Sequence, residues 1–228
     1  MKRTRPVISI DGPVGAGKSS AARQLAEALG FKYLNTGAMY RAVAIAAREA
    51  GIDFDAADLE ERLKPMLAGI KIEFDEGRLL LHGRDVSAAL VEPAIGDLAS
   101  RLSTLAAVRA RMRDLQRMAG ANGGVVMEGR DIGTHIFPDA EFKFYLDADL
   151  GERARRRHTE LIAKGTDISL SEVLSQLQER DARDRGRELA PLRPAEDAVH
   201  IDSTALNIAQ VVNAMRARIS AKATLSRG

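Results

Sequence analysis

Residues 12–19 read Gly12-Pro13-Val14-Gly15-Ala16-Gly17-Lys18-Ser19 and match the pattern G-x-x-x-x-G-K-[ST] at every fixed position. They follow an apolar run, Val7-Ile8-Ser9-Ile10, which predicts a strand. A strand, a glycine-rich turn and a helix in this order form a phosphate-binding loop. Glycines let successive backbone N–H groups surround phosphate oxygens, and the positive end of the helix adds to the attraction. The stretch therefore predicts that the chain binds a nucleoside triphosphate.

The polar residues of this loop have separable roles in nucleotide binding. Lys18 is predicted to reach the β- and γ-phosphates as a mobile point charge, and the Ser19 hydroxyl to coordinate Mg²⁺. The predicted nucleotide-binding set is Gly12, Pro13, Val14, Gly15, Ala16, Gly17, Lys18, Ser19 and Ser20. The alternative is a glycine-rich turn that arose by chance. The match at all fixed positions and the correct flanking segments disfavour that alternative.

The composition is that of a globular protein without membrane spans or disulfides. Apolar residues make up 45% of the 228 residues and charged residues 29%, which is ordinary for a globular chain. No apolar stretch approaches the ~20 residues that cross a membrane. The chain contains no cysteine, which excludes disulfide and thiol chemistry and is compatible with the cytosol. The N-terminus runs straight into the first strand, so we expect no signal peptide and a cytoplasmic protein.

Five short apolar runs predict the strands of one sheet. They are Val7–Ile10, Phe31–Leu34, Val125–Met127, Phe142–Leu146 and Val199–Ile201. Helical stretches lie between them, and this alternation predicts a parallel sheet that is covered by helices on both faces. The helix after the phosphate loop is expected to stop at Gly30. The predicted fold class is therefore α/β, a phosphate-loop core with a five-stranded parallel sheet flanked by helices.

One segment interrupts the alternation and predicts an inserted lobe. Ile70–Phe74 alternates strictly, Asp75-Glu76-Gly77 is a turn signal, and Leu79–Leu81 follows, which together predict an antiparallel hairpin. A helix that opens at Asp55 is expected to precede it. The expected domains are a core formed by residues 1–34, 104–150 and 166–228, an inserted lobe of residues 35–103 and a short lid of residues 151–165.

The segment after the second strand, Asn35–Arg41, lies at the sheet edge where α/β proteins bind ligands. Thr36 is predicted to cap the next helix, and Arg41, about one turn inside that helix, to meet a phosphate. The alternative is a capping threonine beside a solvated arginine. The sequence alone leaves both interpretations of this segment open.

The segment after the third strand, Glu128–Thr134, lies at the same predicted edge. It places Arg130 beside Asp131 between two glycines, which a simple turn would not require. Glu128 ends the strand, where phosphate-loop enzymes carry the acidic residue that holds Mg²⁺. We therefore expect a functional segment here.

Two arginine-rich segments lie further along the chain. The first reads Glu179-Arg180-Asp181-Ala182-Arg183-Asp184-Arg185-Gly186-Arg187-Glu188, and on a helix Arg180, Asp184 and Arg187 would share one face. Arginine forks bind phosphate in a bidentate manner, and an aspartate between them can accept hydrogen bonds from sugar hydroxyls. The alternative is a solvated ladder of ion pairs, each worth ~0.3–0.5 kcal/mol.

The second segment contains Arg153 and Arg155–Arg157, in a helix that Asp149 and Glu152 open as a capping box. We expect this segment to close over the triphosphate as a lid. The alternative is an RNA-binding face. The chain has three Tyr, six Phe and a net charge of only +2, without interleaving of basic and aromatic residues. That composition disfavours base stacking.

Taken in order, the phosphate loop, Thr36–Arg41, Glu128–Thr134 and Arg180–Arg185 closely resemble the motifs of the bacterial cytidylate kinase family. The resemblance runs from about Val7 to Thr204, nearly the full length. It implies a nucleoside monophosphate kinase core with a short lid, in which the insertion is the monophosphate-binding lobe. It also implies transfer of the γ-phosphate of ATP to CMP or dCMP with Mg²⁺.

The same resemblance implies a role for individual residues. It implies that the acceptor phosphate is bound by Arg41, Arg130 and Arg187. It implies that the sugar is bound by Arg180 and Asp184, and the cytosine by Ser100, Arg109 and Asp131. Thr36 completes the predicted substrate-binding set. The predicted catalytic groups are Lys18, Arg130, Arg156 and Arg187, and the predicted metal ligands are Ser19 and Glu128.

Two other functions are compatible with a phosphate loop. One is a kinase for a sugar acid or another nucleotide, which would need fewer arginines on the acceptor side. The other is a regulatory or RNA-associated nucleoside triphosphatase, which the low aromatic content disfavours. We expect small-molecule substrates, no nucleic-acid or membrane partner, and a monomer, because no heptad pattern or exposed apolar stripe requires a partner.

Overall fold

The computed structural model describes residues 3–75 and 77–225. Its strands are β1 (Val7–Asp11), β2 (Lys32–Asn35), β3 (Ile72–Asp75), β4 (Arg78–Leu81), β5 (Arg84–Asp85), β6 (Val125–Gly129), β7 (Phe142–Asp147) and β8 (Val199–Asp202). Its helices are α1 (Lys18–Leu29), α2 (Thr36–Glu49), α3 (Leu59–Gly69), α4 (Pro93–Leu102), α5 (Ala106–Gly120), α6 (Leu150–Ala163), α7 (Leu170–Gly186) and α8 (Ile208–Leu225). Within these described ranges, no helix combines the length and the apolar character needed to cross a membrane.

The chain folds into two compact units. The second unit is the continuous segment Leu34–Ala121, and the first unit is formed by the chain on either side of it. The sequence predicted an insertion of residues 35–103 between two strands of a sheet, and the second unit begins at Leu34. Its carboxyl-terminal boundary differs, for a reason given below.

The first unit is built on the predicted five-stranded sheet, with the strand order β2-β6-β1-β7-β8. β1 pairs in parallel with β6 and β7, and β7 pairs in parallel with β8. Every residue of β1 is buried, as is typical of a strand at the centre of a covered parallel sheet. The register places Asp11 opposite Gly129 on β6 and opposite Tyr145 on β7. The carboxyl ends of β1 and β6 therefore lie side by side, and the predicted fold class is confirmed.

Helix α1 packs its small apolar face on this sheet. Ala22 and Leu25 are buried in a cluster with Ile10 of β1 and Phe144 of β7. The helix ends at Gly30, as predicted, which adopts φ 60° and donates its backbone N–H to the carbonyl of Ala26.

The phosphate loop approaches β7 closely at its first residue. Gly12 has φ +148°, and a Cβ atom at this position would overlap the carbonyl oxygen of Leu146 on β7. Only glycine adopts this conformation at so short a distance from another backbone. Gly12 therefore sets the depth at which the loop lies on the sheet.

The second unit surrounds helix α2. The residues from Ala42 to Ala47 are buried and pack in one cluster with Leu63 of α3 and Ile95 of α4. β3 and β4 form the predicted antiparallel hairpin, with Ile72 opposite Leu81, and β5 extends it. Of the predicted turn, Glu76 lies outside the described residues.

Helix α5 belongs to the second unit, although the sequence placed residues 104–120 in the core domain. Val108 and Met112 are fully buried (0% exposed) in the cluster that contains Leu63. The apolar stripe of α5 was recognised from the sequence, but a stripe does not specify which partner covers it. The second unit therefore extends to Ala121, beyond the predicted limit of residue 103.

Two predicted helix starts are also corrected. α3 begins at Leu59 and not at Asp55, because the Asp53 carboxylate accepts the N–H of Asp55 at 3.0 Å and closes a turn before the helix. α2 is capped by Asn35 and not by Thr36, since the Asn35 Oδ1 atom accepts the N–H of Ala38 at 3.0 Å.

We predict that Gly12→Ala lowers the free energy of unfolding by at least about 3 kcal/mol, because it adds a backbone clash to an unfavourable φ. Gly30→Ala is the matched control: Gly30 also has positive φ, but a Cβ there meets no atom within 4 Å. The control should cost only about 1–2 kcal/mol. Urea denaturation of both variants measures the difference. Equal losses would show that Gly12 is not a close-contact position.

Candidate functional site

The phosphate loop is held from outside by side chains that bind its carbonyl oxygens. The guanidinium of Arg153 donates to the carbonyl of Val14 at 3.1 Å, and the hydroxyl of Ser203 donates to the carbonyl of Ala16 at 3.0 Å. In a planar trans peptide, the N–H group of the next residue points in the direction opposite to the carbonyl oxygen. The N–H groups of Gly15 and Gly17 therefore point away from Arg153 and Ser203, as phosphate binding requires.

Lys18 is buried, with 6% of its surface exposed, and its ammonium group donates to the carbonyl of Pro13 at 2.6 Å. Burial, together with the nearby positive charge of Arg130, lowers the pKa of Lys18 to about 7. A bound triphosphate would supply the negative charge that favours the protonated form. Lys18 thus lies inside the loop, and its contact with phosphate oxygens stays a prediction.

The two predicted metal ligands are linked by a third residue. Glu128 is buried at the end of β6, whereas Ser19 is exposed at the start of α1. The hydroxyl of Tyr33 donates to Glu128 Oε1 at 2.5 Å, and the Ser19 side chain lies near enough to act on the same hydroxyl. Mg²⁺ is coordinated by oxygen atoms, and the Ser19 hydroxyl and the Glu128 carboxylate both provide them. The residues present therefore fit a magnesium site.

The Glu128–Thr134 segment is fixed to β1 by a buried carboxylate. Asp11 accepts the backbone N–H groups of Ile132 at 2.9 Å and of Gly133 at 2.7 Å. Burial raises the pKa of Asp11 to about 7, although both N–H donors act in the opposite direction. Residues 132–136 form one turn of π-helix, and Asp131, which precedes that turn, is buried. Asp11 therefore holds in place the backbone that carries Arg130 and Asp131.

Arg130, Asp184 and Arg187 lie together in one cluster, in which Asp184 and Arg187 are buried and Arg130 is partly buried. Arg130 Nε donates to Asp184 Oδ2 at 2.8 Å, and Arg187 Nη2 lies 3.5 Å from Asp184 Oδ1. Burial acts to raise the pKa of Asp184, but the positive charges of nearby arginines outweigh it and lower that pKa below its ordinary value. These arginines are Arg130, Arg187 and Arg180. Asp184 is therefore an ionised carboxylate that orients arginine side chains.

The geometry of this cluster differs in one respect from the sequence prediction. Arg187 was placed on the same helical face as Arg180 and Asp184, but α7 ends at Gly186 and Arg187 is extended, with φ −63° and ψ 133°. Its Nε atom donates to the carbonyl of Asp184 at 3.3 Å, which turns the side chain back toward the helix end. Arg187 thus contacts Asp184 because its side chain turns back from a position beyond the helix end, and not because the two residues share a helical face.

Arg153 does not have the exposed position expected of a lid residue. It is 4% exposed and donates to Asp181 Oδ2 at 2.8 Å, to Ala148 O at 3.0 Å and to Val14 O. It therefore ties α6 to α7 and to the phosphate loop. Asp149 caps α6, because its side chain accepts the N–H groups of Gly151 and Glu152, but the reciprocal half of the predicted capping box is absent: the N–H of Asp149 donates to Thr204 Oγ1 at 2.9 Å.

The remaining arginines of α6 differ in their contacts. Arg155 and Arg157 pair with glutamates of their own helix at the surface. Arg156 is partly buried and donates to Glu152 at 2.9 Å, to the carbonyl of Ser203 at 2.7 Å and to that of Thr204 at 3.3 Å. Because Ser203 binds the loop carbonyl of Ala16, Arg156 is connected to the phosphate loop through one residue. Its predicted catalytic role stays a prediction.

The second unit carries the other predicted substrate residues. Ser100 and Arg109 are buried and joined through Ser103, whose hydroxyl donates to Ser100 O at 2.8 Å and whose carbonyl accepts from Arg109 at 3.2 Å. Thr36 is buried at the start of α2. Arg41 of α2 lies against Gly96 of α4, where a Cβ would be 3.9 Å from the guanidinium. The structure therefore brings Ser100 and Arg109 together within this unit.

A glycine-rich loop with inward-facing backbone amides beside a buried lysine is typical of phosphate-loop proteins. A family model described as cytidylate kinase matches residues 8–221. A cytidylate kinase of Syntrophotalea carbinolica is 50% identical over 213 residues, which is 92% of this chain and 89% of that protein. One of Citrifermentans bemidjiense is 46% identical over 217 residues, with coverage of 93% and 92%. The chain belongs to the cytidylate kinase family and is a phosphotransferase.

Among solved structures, an uncharacterized protein from Eubacterium ventriosum is similar in fold, with a TM-score of 0.50 at 13% identity. The match covers 95% of this chain and 99% of that one. It shows a shared fold alone.

Sequence reasoning missed Tyr33, Asp11 and Ser203 as parts of the site. Each lies beside a recognised motif: Tyr33 precedes the Asn35–Arg41 segment, and Asp11 precedes Gly12. The only available signal was a polar side chain at the carboxyl end of a predicted strand. Ser203 had the same signal, because it follows β8.

We predict that the stability of the protein relative to an Asp11→Asn variant depends on pH. The pKa of Asp11 in the folded state, about 7, exceeds its ordinary value of 3.8, so the folded state binds this proton more tightly. This group therefore stabilises the fold as the pH falls from about 7 toward 4 and loses that contribution as the pH rises. The asparagine cannot titrate in this range.

The measurement is urea denaturation of both proteins at pH 5 and pH 7.5. The free energy of unfolding of the unmodified protein, minus that of the variant, should fall by about 2 kcal/mol between the two pH values. Titrating groups that do not interact with Asp11 are common to both proteins and cancel. A difference that does not change with pH would contradict a raised pKa for Asp11.

Proposed function

We propose that this protein transfers the γ-phosphate of ATP to CMP or dCMP, forming ADP and CDP or dCDP. The observation that carries the proposal is the largely buried cluster of Arg130, Asp184 and Arg187 in the unit that also contains the phosphate loop. A phosphate loop alone is equally compatible with an enzyme that only hydrolyses a nucleoside triphosphate. Oriented arginines are the groups that bind a second phosphate group, that of the acceptor. Membership in the cytidylate kinase family supports the identity of the acceptor.

On the donor side, the N–H groups of Gly15 and Gly17 and the ammonium of Lys18 bind the phosphates of ATP. Ser19 and Glu128 are the residues that would hold Mg²⁺, which supplies neutralisation of charge on the transferring group. Arg156 completes the donor-side set in this proposal. Because side chains hold the loop carbonyls before the nucleotide binds, little reorganisation is needed.

On the acceptor side, Arg130 and Arg187 bind the phosphate of CMP and place its oxygen in line with the γ-phosphorus. Arg180 and Asp184 are assigned to the sugar. Asp184 would then have two functions, because it also orients Arg130. The acceptor phosphate is ionised near neutral pH, so the reaction needs no strong general base. Arg41 and Thr36 of the second unit keep their assignment to the acceptor.

The cytosine is distinguished from uracil by the polarity of its base edge. Cytosine presents an N4 amine, which donates a hydrogen bond, where uracil presents an oxygen, which accepts one. The buried carboxylate of Asp131 matches the amine and repels the oxygen. Ser100 and Arg109 are likewise assigned to the base, since a guanidinium can donate to its N3 and O2 atoms.

The proposed activity is tested with a coupled assay of ADP release. The purified protein is given ATP and Mg²⁺ with CMP, dCMP, UMP, AMP, gluconate or RNA in parallel. We expect rapid ADP release with CMP or dCMP and slow ADP release with UMP, AMP, gluconate or RNA. Fastest turnover with gluconate, or hydrolysis that RNA stimulates, would overturn the proposal. A Lys18→Met variant with an unchanged circular dichroism spectrum excludes a contaminating kinase, because it should be inactive.

We predict that Asp131→Asn lowers the ratio of CMP to UMP efficiency by about tenfold or more, since a matched contact with a base edge is worth ~1–3 kcal/mol. The catalytic efficiency should fall mainly for CMP, because the asparagine amide keeps one hydrogen-bond acceptor but carries no negative charge. The KM for ATP should stay within about twofold. Retention of the full ratio would show that Asp131 does not contact the base.

A further inference from the structure

Tyr33 lies beside both predicted metal ligands. Its hydroxyl donates to Glu128 Oε1 at 2.5 Å, and the Ser19 side chain lies near enough to act on the same hydroxyl. The hydrogen bond holds the Glu128 carboxylate in one orientation. A carboxylate that is held in this way is suited to bind a divalent cation.

The ring of Tyr33 is itself held in place. Arg23 lies over it, with the guanidinium carbon 5.0 Å from the ring centre. Arg23 and Ser19 are four residues apart on α1 and therefore lie on one face of that helix. Tyr33 lies on β2, whose neighbour in the sheet is β6, the strand that ends with Glu128 and Gly129. The Tyr33 side chain thus contacts both α1, through Arg23, and the carboxyl end of β6, through Glu128.

We propose that Tyr33 is a positioning residue for the divalent cation, because its hydroxyl fixes the orientation of the Glu128 carboxylate. This inference rests on the proposed function insofar as the cation accompanies ATP. It assigns Tyr33 no contact with the substrate or the reacting atoms. Residues that orient metal ligands in this way typically change metal affinity ten- to a hundredfold when mutated.

The experiment compares Tyr33→Phe with the unmodified protein. Phenylalanine keeps the ring, its packing and the contact with Arg23, and it removes only the hydroxyl. Binding of Mn²⁺ in the presence of a non-hydrolysable ATP analogue is measured by electron paramagnetic resonance of the free ion. We expect the dissociation constant of Mn²⁺ to rise about tenfold or more. The thermal unfolding midpoint should change by no more than about 2 °C, since the core is unchanged.

Tyr145→Phe is the matched control. Tyr145 is a buried tyrosine of β7 that stacks against His200, with ring centres 5.4 Å apart. Loss of this hydroxyl should leave the affinity for Mn²⁺ unchanged. An equal effect of both variants would assign the change to general loss of a buried hydroxyl and overturn the proposal.

A double-mutant cycle with Glu128→Gln tests whether Tyr33 acts through its neighbours. If the hydroxyl acts by orienting Glu128, Tyr33→Phe should have less than about a third of its effect in the Glu128→Gln background. Full additivity, or unchanged Mn²⁺ affinity in Tyr33→Phe alone, would overturn the proposal. The Mn²⁺ binding experiment contains no CMP. If the proposed acceptor is wrong, the ADP-release assay will show it, and the result for Tyr33 will be unaffected.

Discussion

A charged side chain that is removed from water must have a charged or polar partner, and this constraint determines how the first unit is assembled. Asp181 and Asp184, three residues apart on α7, each hold a buried or partly buried arginine from another part of the chain. Asp181 binds Arg153 of α6, and Asp184 binds Arg130 from the loop after β6. The removal of either aspartate would leave an uncompensated guanidinium. The charged run of α7 is therefore internal on one side and not a solvated ladder.

The same arginines connect the structural network to the phosphate loop. Arg153 binds the loop carbonyl of Val14, while Arg156 binds Ser203, which in turn binds the loop carbonyl of Ala16. Because these contacts are made by the protein itself, the loop amides are oriented before a ligand arrives. Tyr33 and Asp11 have comparable functions, since each uses its polar group to fix residues that the proposed reaction requires.

The sequence predicted the sheet because buried parallel strands are recognisable as short apolar runs between helices. It also predicted the phosphate loop and the ends of α1, where glycine is required by backbone conformation. It did not predict that α5 packs in the second unit, that Arg153 is buried, or that Arg187 lies beyond the end of α7. Each of these depends on which distant residue becomes the partner, and residues such as Val14, Asp181 and Met112 are brought near only by folding. The roles of Arg41, Ser100 and Arg109 stay predictions for the same reason.

The central claim is that the arginines oriented by Asp184 bind the phosphate of the acceptor. The most direct test is the thermal unfolding midpoint with no ligand, with cytidine and with CMP at equal concentration. A ligand at about 100 times its dissociation constant stabilises a protein by ~2.7 kcal/mol. The account predicts a clear rise with CMP, almost none with cytidine, and loss of the CMP effect in Arg187→Gln. Equal stabilisation by cytidine and CMP, or a full CMP effect in Arg187→Gln, would contradict it.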